Sequence, residues 1–161
     1  MSTENIVDQP LRRQLIATLK GGNAFDRVEE ILAEIPSGRR FEVPDGLERS
    51  PWQVIDHMRR TLEDLISYSE NWNGDYKELD WPKGYWPGSP DPGDSGAWDK
   101  SVQGFFAALS QLEKMVEDRD LFAPFPWAAD HTFLREVLLA IEHTAYHSGE
   151  LVQLARALKK E

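Results

Sequence analysis

Four stretches of this sequence place apolar side chains three or four residues apart. That spacing constrains the fold more than any other feature, because a helix built on it carries one apolar stripe that has to be buried. The first stretch runs from Leu11 to Ile35 through Leu15, Leu19, Phe25, Val28 and Leu32. Gly21-Gly22 weakens its middle and Pro36-Ser37-Gly38 closes it. The second opens at SPWQ, where Ser50 can cap, Pro51 takes the first helical position and Gln53 the reciprocal capping position. Its stripe is Val54, Ile55, Met58, Leu62, Leu65 and Ile66, and it ends near Trp72-Asn73-Gly74. The third covers Ala97 to Asp118, with Ser95 as its cap and Val102, Phe105, Phe106, Leu109, Leu112 and Met115 as its buried face. The fourth begins after Asp130, with His131 or Thr132 in its first turn, and continues to about Leu158 through Phe133, Val137, Ala140, Ile141, Leu151 and Ala155. Four amphipathic helices can bury their stripes only against one another, so the expected fold is all-α, a four-helix bundle. No strand-like alternation exceeds Glu42-Val43-Pro44.

With 161 residues, the chain is the size of one ordinary domain, expected to span 1–161 and to bury a core without covalent staples. It contains no cysteine. That excludes disulfides, zinc knuckles, iron–sulfur clusters and a protein thiol nucleophile, so any metal must be held by His, Asp or Glu. The segment MSTENIVDQP lacks the basic start and apolar run of a secretory leader, and no stretch reaches the roughly 20 apolar residues of a membrane span. A soluble cytoplasmic protein with no membrane partner is expected. Acids outnumber bases 28 to 18, a net charge of -10 that argues against a nucleic-acid partner.

Residues 74–96, GDYKELDWPKGYWPGSPDPGDSG, make the connector between the second and third helices long, aromatic and proline-rich. A loop of that length needs something to hold it. Trp81, Tyr85 and Trp86 can pack as a plug on the bundle, or they can wall a pocket; the residues alone leave both open.

EHTAYHSGEL, residues 142–151, carries His143 and His147 four positions apart, on one face of the last helix. They flank its apolar stripe together with Glu136 and Glu150, whereas Glu142 points away. His57 occupies the matching border of the second helix, beside Thr61 and ahead of Tyr68. Three boundary histidines are one reading. The other is a metal centre built between two helices, with Glu136 or Glu150 as further ligand, partner of an imidazole, or base. His131 is expected at the helix end or in solvent. Thr144 follows His143, so the HExxH signature of zinc peptidases is absent, and neither Gly21-Gly22 nor GYWPG has the setting of a phosphate loop. Ser148 sits mid-helix, without the strained elbow a serine nucleophile requires.

SPWQVIDHM, the aromatic WPKGYWP, TFLRE and EHTAYHSGEL together resemble the DinB-like superfamily over nearly the whole chain. The resemblance implies a four-helix bundle with a divalent metal on three histidines, here His57, His143 and His147. It also implies a homodimer, and relatives that include metal-dependent transferases and isomerases using low-molecular-weight thiols. Glu150 stands where such relatives usually have Gln, adding negative charge beside the expected ion.

The expected function is therefore a metal-dependent enzyme of thiol-transferase or hydrolase type, carrying Zn²⁺ or Ni²⁺ on the three histidines. Glu150 is the candidate catalytic group, and Tyr68 with the connector aromatics are candidate walls. A thiol would have to come from a cofactor or substrate. The alternative is a non-catalytic metal or small-molecule binding bundle.

Overall fold

A computed structural model describes residues 4–160, with side chains described for 8–159. The chain is predominantly helical: α1 (Glu4–Leu19), α2 (Val28–Ala33), α3 (Pro51–Ser69), α4 (Ala97–Asp118) and α5 (Phe133–Lys160), with a short antiparallel ribbon of β1 (Pro124–Phe125) and β2 (Ala128–Thr132).

The first apolar stretch forms two helices, not the one expected. Gly21 and Gly22 take φ of +72° and +88°, the left-handed region that lets glycine end a helix. The Gly22 N–H then donates to the Phe25 carbonyl at 2.7 Å, which closes a turn and redirects the chain into α2. The ribbon was not expected either. Asp120 Oδ1 accepts the N–H groups of Phe122 and Ala123 at 2.8 and 3.0 Å, and this turn starts the chain back toward α5.

The expected caps hold at α3. Ser50 Oγ accepts from the Gln53 N–H at 3.3 Å, and Gln53 Oε1 accepts from the Ser50 N–H at 3.0 Å, with Pro51 in the first turn. At α4 the cap differs from expectation: Gly96, not Ser95, occupies that position, and its N–H donates to Asp94 Oδ1 at 2.9 Å. Thr132 Oγ1 accepts from the Arg135 N–H at 3.3 Å and so serves the start of α5.

Helix α3 packs against both α4 and α5, α1 packs against the same two, and α2 lies on α5. The apolar stripes meet in one cluster, in which Val54, Ile55, Met58, Leu62, Phe105, Leu112, Val137, Ala140 and Leu151 are completely buried. Val102, Phe106 and Ile141, expected in the stripes, are only partly buried at its edge. A polar knot crosses the α3–α4 seam. Buried Asp56 accepts from Arg59 and Ser101 on Oδ1 and from Arg60 on Oδ2, and Ser101 in turn accepts from the Trp52 indole N–H at 3.2 Å.

The connector is strapped along α3. Tyr85 Oη donates to Asp64 at 2.7 Å, Arg60 to the Gly84 carbonyl at 3.2 Å, Gln53 to the Pro87 carbonyl at 3.3 Å, and Ser50 Oγ to the Pro90 carbonyl at 3.0 Å. Of the three aromatics expected to pack it down, Trp86 joins the core edge, whereas Trp81 is 70% exposed. Among the described residues no helix is long and apolar enough to cross a membrane.

Candidate metal centre

His57 leaves α3 one turn before Thr61, and His143 and His147 leave α5 one turn apart, so the packing of α3 on α5 brings all three rings together. His57 Nε2 lies 2.9 Å from His143 Nε2 and 3.1 Å from His147 Nε2. His57 and His147 are buried and His143 is half-buried. The three ligand atoms lie within 4.8 Å of one another, and among the described residues this group could hold a metal ion.

The outer nitrogens decide what the inner ones can do. His57 Nδ1 is 3.0 Å from the Tyr85 carbonyl, and His147 Nδ1 is 2.8 Å from Glu150 Oε2. Both partners only accept, so each Nδ1 carries the proton and each Nε2 presents a lone pair. Two lone pairs 3.1 Å apart cannot form a hydrogen bond. They need a positive centre between them, which is either an added proton or a cation that the third imidazole also reaches. Burial, partly offset by the Tyr85 carbonyl, pushes the His57 imidazole down to about 4. Burial, reinforced by the two neighbouring histidines, pushes His143 down to about 3. Both rings are therefore neutral at neutral pH, which is the form that binds a cation. The donor set fits a divalent transition metal, and the buried Nδ1 of His143, which has no hydrogen-bond partner among the described residues, is its weakest point.

Trp86 covers the centre from the connector, its ring stacked on His57 at 3.7 Å and 10° and edge-on to His147 at 5.6 Å. Over the triad opens a cavity of about 580 Å³, lined by Arg49, Trp81, Trp86, Tyr146 and Glu150 among others. Of the two readings of the connector, a wall of the histidine pocket is the one its geometry matches.

Glu150 and Glu136 part company. Glu150 meets the site through His147. Glu136 is buried and accepts from Arg135 at 2.6 Å, and it lies seven residues before His143, or roughly 10 Å along the helix axis, so it is no ligand. Tyr68, expected as a wall, lies outside the cavity; its hydroxyl meets His131 Nδ1 at 2.6 Å and its ring packs against Phe125 and Trp127. His131 thus lies in β2, two residues before α5, half-buried and bonded to Tyr68. Sequence reasoning missed Arg49 and Tyr146. Tyr146 could have been found from its place one residue before His147, while nothing local marks Arg49.

A family model described as the DinB superfamily matches residues 23–151, a span that includes the three histidines and Glu150. No curated protein and no solved structure matches the chain.

Proposed function

The chain belongs to the DinB superfamily, and from that premise we propose that it is a metal-dependent enzyme of thiol-transferase or hydrolase type, built as a bundle of α1, α3, α4 and α5. His57, His143 and His147 are the proposed ligands of a divalent ion, Zn²⁺ or Ni²⁺. The observation that carries this reading is the pairing of converged Nε2 lone pairs with Nδ1 protons committed to a carbonyl and a carboxylate. Bound there, such an ion supplies a Lewis acid that lowers the pKa of a coordinated water or thiol.

The chain's own groups do the rest. Glu150 holds His147 in its tautomer through Oε2 and lines the cavity with Oε1 3.9 Å from Arg49 Nη1, and it is the proposed acceptor of a proton from water or a thiol. Trp86 keeps solvent off one face of His57. With no cysteine in the sequence, a reacting thiol belongs to a low-molecular-weight cofactor or substrate. The cavity over the triad favours an enzyme, since a purely structural site closes its coordination sphere with protein groups.

A second reading, a non-catalytic metal clamp, draws on the way the triad ties α3 to α5 and, through Tyr85 and Trp86, to the connector. The homodimer and cytoplasmic location belong to the same proposal. Metal analysis of untagged protein is the test. About one divalent ion per chain in the wild type and loss of it in His147→Ala are expected, because removing one of three ligands removes most of the affinity. Wild type free of metal after loading and desalting would overturn both readings.

A further inference from the structure

Arg49 lines the triad cavity and has donors to spare. Its guanidinium carbon lies 3.9 Å from the centroid of the Trp86 ring, the same ring that stacks on His57, so the charge is held at the edge of the proposed metal centre. Among the described residues the guanidinium makes no hydrogen bond. The carboxylates nearest its Nη1, Glu48 and Glu150, stand off at 3.5 and 3.9 Å. Glu48 is 85% exposed and screened by water, and Glu150 already accepts the His147 proton. An arginine fixed by stacking, with its planar fork of donors unused, is preorganised to take an oxyanion side-on.

We propose that Arg49 anchors the carboxylate of an organic acid substrate, whose donor atom reaches the histidine centre while its body lies between Trp81 and Tyr146. The proposal rests on the metal site and names the substrate class that site takes. Trp81 and Tyr146 line the same cavity and are 70% and 74% exposed, which is the place for an apolar or aromatic substrate body. A carboxylate fits better than a phosphate, because the single guanidinium carries one positive charge and the neighbouring Glu48 and Glu150 repel a doubly charged anion more than a singly charged one. The negative charge that Glu150 brings in place of Gln does not bar an acid from the cavity, since it faces both the His147 N–H and Arg49.

The test uses 4-phenylbutyrate and its uncharged isostere 4-phenylbutyramide as probes, with binding to zinc-loaded full-length protein measured by calorimetry. Wild type is expected to bind the carboxylate about tenfold more tightly than the amide, the scale of a charge-assisted hydrogen bond. Arg49→Gln is expected to abolish the preference, the carboxylate losing about tenfold more affinity than the amide. Arg49→Lys keeps part of it, since it retains the charge and loses the fork. Equal affinity of wild type for the two probes, no saturable carboxylate binding, or the same preference in Arg49→Gln overturns the proposal. Zinc content of the same samples reads the metal site separately. Stoichiometric zinc with no carboxylate preference removes the anchor and leaves the metal, whereas an Arg49-dependent preference in protein that binds no zinc removes the metal and leaves the anchor.

Discussion

Among individual residues, the capacity of the triad to hold a cation depends on which nitrogen of each imidazole carries its proton. Glu150 fixes this for His147 by accepting from Nδ1, and the Tyr85 carbonyl fixes it for His57. A carboxylate in that position also fixes the orientation of the ring it holds. Glu150→Ala is expected to weaken metal binding by about 10- to 100-fold, the usual cost of losing such a partner. Glu150→Gln retains most of the affinity, because an amide oxygen still accepts from Nδ1. Competition against a chelator of known affinity measures both, and equal losses in the two variants would show that charge, not hydrogen bonding, sets the affinity. The triad itself was legible in the sequence, since an i, i+4 histidine pair shares a helical face wherever the helix goes. Arg49 was not, because its place depends on a connector that folds back over α3 from more than thirty residues downstream, through contacts such as Trp86 on Arg49.

The helices show where local chemistry decides and where it does not. The capping box of α3 was readable because all its partners lie within four residues of one another. The break after α1 was visible only as a weakness: a pair of glycines lowers helix propensity, but the turn also needs the Phe25 carbonyl to accept from Gly22. The β1–β2 ribbon left no periodic signal in so short a segment. Two helical glycines make a comparison that separates propensity from packing. A Cβ on Gly149 of α5 would meet nothing within 4 Å, so Gly149→Ala is expected to stabilise the protein by about 0.5–1 kcal/mol. A Cβ on Gly104 of α4 would come within 2.5 Å of Arg59 Cδ. The Arg59 stem cannot swing aside freely, because its head is held by Asp56 at 2.7 Å and Glu63 at 2.6 Å. Gly104→Ala is therefore expected to destabilise by roughly 1–3 kcal/mol despite the better helix former. Denaturant midpoints with unchanged m-values check the pair, and a stabilised Gly104→Ala would mean that Arg59 is free to move.

On the scale of the whole molecule, helical periodicity announced a largely helical fold, and the family match over residues 23–151 agrees with the resemblance carried by the motifs. What periodicity could not supply is which helices are neighbours. That follows from burial: α3 is almost wholly enclosed over its first two turns, from Pro51 to Met58, because α4, α5 and the connector all lie against it. The candidate metal centre sits where α3, α5 and the connector converge, so three distant segments reach their mutual register at the site itself. The claim that these segments meet around a cation is most directly tested by a crystal structure of untagged, metal-loaded protein with the ion located by anomalous scattering. One peak is expected, bonded to Nε2 of His57, His143 and His147, at about 2.0–2.1 Å if the ion is zinc. A triad without a peak after loading, or an ion held by fewer than three of these nitrogens, would contradict it.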